Sequence, residues 1–261
     1  MADVGRFVSA VHERYGMRPV VPLEFPIEIG DIGKIAGDGS WKPISTVRHR
    51  FNSAPGGVRR TRDQRRIWEV SSGRDVTFTA YRRGETSELI VKPAEAKPRA
   101  EICFAAADAF AFAASEVTIR TATQVGDLID KIRLAYVLRR QSPEDGRWFK
   151  EYAFVFAVGD AQCFTALLPK RGPTTVAVIG RGPVGPPDAL GKLARGIRFG
   201  VESDPLQRVH QNDARGRFYR AYRLTNAILE RWREEPYRKV RDGEIRFETP
   251  TPSFEETFEE I

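Results

Sequence analysis

Few residues in this chain have the types and spacing for covalent chemistry. Its three histidines, His12, His49 and His210, lie far apart, and none stands at ligand spacing from a cysteine or carboxylate. Cys103 and Cys163 have no neighbouring general base in sequence. There is no G-x-S-x-G elbow, no H-E-x-x-H helix and no glycine-rich dinucleotide turn. The GDIGK segment from Gly30 lacks both the Ser/Thr and the helix of a phosphate loop, so its glycines serve turns. No catalytic, cofactor or metal residue is assigned, and the chain is read as a non-enzyme.

The chemistry the sequence does offer is charge beside aromatic surface. The net charge is +7 and the pI near 9.6, which favours an anionic partner, nucleic acid or acidic lipid. The densest basic run is Arg48, Arg50, Arg59, Arg60, Arg62, Arg65 and Arg66, with Pro55-Gly56-Gly57 inside it. Such a run is either a solvated face or mobile loop, or an anion-binding patch. Only Phe51 and Trp68 flank it, too few aromatics for base stacking along a single strand. From Glu244 to Ile261 the balance reverses, with six carboxylates against one arginine. Phe247, Phe254, Phe258 and Ile261 sit among those acids, as a segment docking on a basic, apolar groove requires.

The most apolar stretch is Glu101–Arg120, EICFAAADAFAFAASEVTIR. Ile102, Phe104, Ala106, Phe110 and Phe112 share one parity, which predicts a strand or hairpin, although its alanines also allow a helix. A second alternating run, Trp148–Leu168, carries Tyr152, Phe154, Phe156 and Phe164, with a turn predicted at Gly159-Asp160. No window reaches the roughly 18 uncharged residues of a spanning helix, and the N-terminus has no signal-peptide pattern. The two cysteines fall in apolar runs and are expected to be reduced, buried thiols of a cytosolic protein.

The elements around these stretches follow from periodicity. Val4, Phe7, Val8, Val11 and Tyr15 predict an amphipathic helix over 4–15 capped by Gly16, docked on the core or touching lipid through Arg6 and Arg14. Residues 19–45 alternate short strands with turns at Gly30-Asp31, Gly37-Asp38-Gly39 and Pro43, and strands recur over 67–91 with a turn at 83–85. A linker follows at 92–99. Val125, Leu128, Ile129, Ile132 and Tyr136 predict a helix with Thr123 as N-cap, and 140–147 is a polar loop. Further strands are predicted at 174–179, 196–201 and 217–223, a loop at 181–187, and helices at 188–195 and 224–235. The fold class is α+β: an antiparallel-rich, twisted sheet core with peripheral helices and a short C-terminal peptide.

PIEIGDIGKI…WKPIS at Pro26–Ser45, the two alternating stretches with a helix between them, the 174–179 strand, and GIRFGVE and GRFYRAYRL at 196–202 and 216–224 occur in an order that resembles the bacterial gasdermins over most of the chain. The resemblance implies an autoinhibited pore-forming protein. A body over 1–240 would be covered by an inhibitory peptide over 241–261 until a protease cuts between them. The freed body would then oligomerise with copies of itself on the inner membrane, insert two hairpins as a large β-barrel and kill the cell in defence against phage. The resting protein would be a cytoplasmic monomer. The partners implied are the activating protease, anionic lipids and self, with no nucleic acid and no cofactor.

On that reading Ile102, Phe104, Phe110, Phe112, Tyr152, Phe154, Phe156 and Phe164 insert. Arg59, Arg60, Arg62, Arg65 and Arg66 meet headgroups, and the acidic tail masks them at rest. Phe247, Phe254, Phe258 and Ile261 inhibit, and cleavage falls among Arg238, Lys239, Arg241 and Arg246. The sequence departs from the family in having no cysteine before Cys103, so an acylated N-terminal cysteine is not implied. The rival reading is a basic nucleic-acid-binding module without enzymatic activity.

Overall fold

The computed structural model describes residues 4–23, 25–52, 56–80, 100–124, 126–138, 148–170, 173–179, 198–200, 206–233, 237–239, 245–247 and 253–261. For 78–80, 100, 126–127, 177–179, 198–200, 206–213, 237–239, 245–247 and 254–255 it describes the backbone alone. The chain runs α1 (Val4–Tyr15), β1 (Arg18–Pro19), β2 (Asp31–Ile35), β3 (Trp41–Thr46), α2 (Val47–Phe51), β4 (Gly56–Arg62), β5 (Ile67–Ser71) and β6 (Val76–Ala80). It continues with β7 (Ala100–Phe104), β8 (Ala111–Ser115), β9 (Thr118–Gln124), α3 (Gly126–Val137), β10 (Ala153–Pro169) and β11 (Thr174–Ile179). Last come β12 (Arg198–Gly200), β13 (Leu206–Leu224), α4 (Asn226–Arg233), β14 (Tyr237–Lys239), β15 (Ile245–Phe247), α5 (Phe254–Thr257) and β16 (Phe258–Glu260). Every ladder among the described residues is antiparallel, and the fold is α+β.

β10 is the axis of the larger sheet. Its residues are buried on both faces along almost the whole strand, as the valine, phenylalanine, leucine and alanine content on either side of Gly159-Asp160 allows. β13 pairs with one edge along its length, from Ala153↔Arg223 to Pro169↔Leu206. The other edge is shared by β2, then β9, then β8. Outside these lie β3, β4 and β5, while β1 and β16 sit on the far edge of β13. A smaller sheet has the order β6-β7-β11-β12.

α1 docks on the core, burying Phe7, Val8, Val11 and Tyr15. Gly16 closes it at φ +64°, its amide donating to the His12 carbonyl. Under the helix lie Trp68, Val70, Phe110, Phe112, Phe164 and Phe218. A second cluster joins α3 and α4 to Trp148, Tyr152, Phe154 and Phe156.

Several sequence expectations need correction. No turn forms at Gly159-Asp160, because β10 runs straight through it. Gly159 is needed for packing instead: a Cβ there would lie 2.9 Å from the Cβ of Phe218. Asp160 accepts from Arg120 and from the Gly216 amide at 2.8 Å, anchoring a bulge in which 215–217 of β13 stand against this one residue. The 101–120 stretch is two strands in two sheets joined through 105–110, then β9, rather than one element. Within 48–66 the described residues include the end of α2 and all of β4, so Arg48, Arg50, Arg59, Arg60 and Arg62 sit on regular elements and Arg65 and Arg66 beyond them. Pro43 lies inside β3 opposite Gly33, next to a register shift, and makes no turn. Thr123 belongs to β9 and Leu224 to β13, so both helices begin later than their apolar stripes suggested. The features expected at 83–85, 88–91, 92–99, 140–147, 181–187 and 188–195 lie outside the described residues.

The bulge gives a direct test. Gly216 has φ +58°, and a Cβ on it would lie 2.2 Å from the Ile27 carbonyl oxygen, which belongs to backbone. Gly216→Ala is therefore expected to destabilise the protein by about 3 kcal/mol, through left-handed strain plus a clash that backbone must relieve. Urea denaturation measures it, and a change within about 0.5 kcal/mol would contradict the account.

Candidate functional site

The C-terminal segment is a strand added to the main sheet. Ser253 opens α5 with a capping box: its hydroxyl accepts from the Glu256 amide at 3.2 Å, and its own amide donates to Glu256 Oε2 at 2.8 Å. This bonding holds the Glu256 carboxyl below its ordinary pKa. β16 then pairs Phe258, Glu259 and Glu260 with Leu224, Arg223 and Tyr222, and the Ile261 amide donates to Ala221 at 3.1 Å. Phe258 is 5% exposed and meets Phe154 edge-on at 5.1 Å. Ile261 packs beside Val20, Trp41 and Tyr219. Thr257 is fully buried.

Of the inhibitory residues expected from sequence, Phe258 and Ile261 thus fill apolar seats. Phe254 lies in α5 and Phe247 in β15, where only backbone is described. Of the described tail acids, Glu259 and Glu260 lie against β13 and not against the arginine run. Glu259 pairs with Arg223 and Glu260 approaches Arg220 at 3.5 Å, both on β13. Arg220, Tyr222 and Arg223 form this seat, yet their sequence signal is only complementary charge in an alternating strand. The expected cleavage residues lie on the small β14–β15 ladder, with Arg238 opposite Arg246 and Lys239 opposite Ile245. Arg241 is outside the described residues.

The second part of the site is a pair of hairpins, each broken at the same level. In the larger sheet β5, β8, β10 and β13 lie in that order, and in the smaller sheet their chain continuations β6, β7, β11 and β12 keep it. The middle pair holds one register through the break. Leu167 pairs with Ala111 and Thr174 with Phe104, so the chain count between the two ladders is six residues on each side. The outer pairs shift by two: Ser71 pairs with Ala111 and Val76 with Phe104 on one side, and Pro169 with Leu206 and Ala177 with Gly200 on the other. An even offset keeps every side chain on its own face.

Ile102 and Phe104 are buried on β7, while Phe110, Phe112 and Phe164 meet under α1. Tyr152, Phe154 and Phe156 lie elsewhere, against α3, α4 and Phe258. Cys163 is buried and Cys103 is only partly so, and both are free thiols.

The arginines are spread along an edge. β4 pairs only with β9 among the described residues, and Arg59, Arg60 and Arg62 on it are exposed. Arg62 reaches Glu116 at 2.9 Å, Arg65 lies 5.4 Å over the Tyr15 ring, and Arg66 is exposed. Among the described residues, no group of His, Cys, Asp and Glu could hold a metal ion, and no helix is long and apolar enough to cross a membrane. No protein-family model matches the chain, and no curated protein matches it in sequence.

Two expectations follow. Phe258→Ala removes a ring from a closed apolar seat and should weaken the docked strand by about 3 kcal/mol. It would be read as faster hydrogen exchange at Ile261, and exchange unchanged from the parent would show that the ring does not hold the strand. His12 is the second. Burial, then Arg18, lowers its pKa, with Arg220 adding to this and Glu260 and Glu13 opposing it. The unfolded chain then binds more protons, so stability falls as pH drops through about 6.5 toward the lowered native value. His12→Gln should flatten that part of a melting-temperature profile; an unaltered slope would assign it to other groups.

Proposed function

We propose that this chain is an autoinhibited pore-forming protein that a protease activates by cutting before its C-terminal strand. The observation that carries the reading is the unbroken register of β7–β8 with β10–β11 across the gap between the sheets. Straightening these strands needs no slip in the central pair. The stretch from Ala100 to Ser115 then spans sixteen residues, more than the roughly 9 to 11 that a tilted membrane strand requires. Its even face carries Ile102, Phe104, Phe110 and Phe112, continued across the pair by Phe164, Ala166 and Val176.

A four-stranded insert leaves two open edges, which lipid cannot satisfy, so further copies must close the barrel. The exposed arginines of β4 and Arg65–Arg66 would draw the body to anionic headgroups, at about 1 kcal/mol each near the surface. Tyr152, Phe154 and Phe156 stay with the body as the seat of Phe258. The C-terminal strand restrains the body while it is covalently attached. Once cut, it is held by non-covalent contacts alone and its effective concentration collapses. The resting protein is assigned to the cytoplasm and the activated one to the inner membrane, consistent with the resemblance to bacterial gasdermins. The inhibitory unit begins near residue 241.

The test uses the full chain with a specific protease site replacing 240–244, folded first and then cut. Dye release from phosphatidylglycerol-containing liposomes is expected only after cutting, and Phe258→Asp should cause release without it. A cut chain that keeps its fold and its vesicle binding but releases no dye would sink the pore reading. Gel shifts with steep salt dependence would then favour the nucleic-acid module.

A further inference from the structure

The first hairpin carries a charge arrangement that only its broken form can make. Arg6 on α1 donates to Asp108 Oδ2 at 2.8 Å and to Asp75 Oδ2 at 3.2 Å, and it lies 3.5 Å from the Ser72 carbonyl. Asp75 and Ser72 belong to one arm of the break and Asp108 to the other. A cation in the first turn works against the helix dipole, and none of the described residues of that turn is acidic. Beside Arg6, Phe7 is fully buried and meets Phe110 and Phe112 edge-on at 5.5 and 5.9 Å. The helix therefore covers the apolar face of the hairpin and spans its break.

Strand geometry shows what straightening does to this cluster. Extending the β6–β7 register places Asp75 opposite Ala105, and extending the β5–β8 register places it opposite Ala107. Opposed residues share a face and successive residues alternate, so under either register Asp108 points to the other face. One guanidinium cannot then hold both carboxylates. Extending the β8–β10 register three residues from Ala111↔Leu167 sets Asp108 opposite Lys170, which is exposed just past the end of β10. A lone aspartate on an apolar face thereby gains a cross-strand cation.

The far end of α1 is tied to the C-terminal strand. Arg220 Nε donates to the Gly16 carbonyl at 2.7 Å and stands 3.5 Å from Glu260 Oε1. Gly16 has no room for a side chain without moving that guanidinium, since a Cβ would lie 3.2 Å from it.

We propose that α1 is a second restraint on the first hairpin: Arg6 latches Asp75 to Asp108 across the break, and Asp108 exchanges Arg6 for Lys170 when the hairpin straightens. The use made of the straightened hairpin rests on the pore reading. The latch itself can be measured without a membrane.

Hydrogen exchange in the resting full chain reads it at the amides of Ser72, Ala105 and Phe110, which bond across the break to the Phe110 carbonyl, the Asp75 carbonyl and Ser72 Oγ. Arg6→Ala should speed exchange there by about three- to tenfold, as expected for loss of two part-exposed ion pairs. Asp108→Asn should act similarly, and the two together should exceed the larger single effect by little, because they break one interaction. Asp75→Asn keeps the side-chain shape and carries the same comparison if Arg6→Ala misfolds. Exchange at parental rates in folded Arg6 and Asp variants would overturn the latch.

Lys170→Glu separates the two proposals. It should leave resting exchange unchanged and slow dye release by the cut chain by about two- to fivefold. Parental release rates would remove the partner exchange. If the cut parent releases nothing while Arg6→Ala still speeds exchange, the latch stands and the pore reading falls.

Discussion

The pairing of β10 on both of its edges is the constraint on which the other elements depend. A strand buried on both faces cannot satisfy its amides with water, so every peptide along it must find a partner strand. β13 supplies one edge, and β2, β9 and β8 divide the other among them. Because those three pieces come from different parts of the chain, their registers are fixed by β10 rather than by local turns. That explains why β8 can end, the chain bend, and β7 resume against β11 with no residue lost or gained. It also explains the bulge at 215–217, where β13 must bring Gly216 to both Asp160 and the Ile27 backbone.

Much of this was legible in the sequence, and what was not has physical reasons. Helix α1, the 174–179 strand and the even-parity aromatics of 102–112 were readable because amphipathic periods of 3.6 and 2 leave clear patterns. The break at 105–110 was not. Its four alanines and one aspartate suit helix, strand or bend about equally, and the partner of that aspartate, Arg6, lies on a helix about a hundred residues away in sequence. Gly159-Asp160 resembles a turn in composition, but each residue answers to tertiary context: the glycine to Phe218, the aspartate to Arg120 and a bulged amide. The arginine run looked loop-like because charge conceals strand propensity. On an outer strand such residues also discourage unwanted edge pairing. β16 has too few residues to show a period, and only its partner strand makes it one.

The energetics of the docked tail are those of a reversible contact. Among the described residues it is held by three ladder pairings, by hydrogen bonds from the Ile261 amide to Ala221 and from Thr225 to Glu256 and Thr257, by buried Phe258 and part-buried Ile261, and by two part-exposed ion pairs. Exposed pairs contribute about 0–1 kcal/mol each, so among the described contacts the apolar seats of Phe258 and Ile261 outweigh them. Such a contact is secure while the tail is tethered and weak once it is free. The acids of the tail select its place along β13 more than they strengthen it, since Glu259 stands opposite Arg223 and Glu260, opposite Tyr222, reaches Arg220 two residues along the strand.

Charges that fit poorly in one conformation are informative where the fold has two. Arg6 opposes its own helix dipole, and Asp108 interrupts the apolar parity of Phe104, Phe110 and Phe112. Each choice is unfavourable locally, and natural sequences usually agree with their fold at every level. In the bent form the two conflicts resolve each other through one ion pair. In a straight hairpin the aspartate would face Lys170, while Arg6 would be left on a helix whose covered face had moved away. A sequence shaped only by the bent state would have no reason to place a lysine in that register, and one shaped only by the straight state would have no reason for Arg6. The two cations around one aspartate are what a chain needs if both conformations must be satisfied.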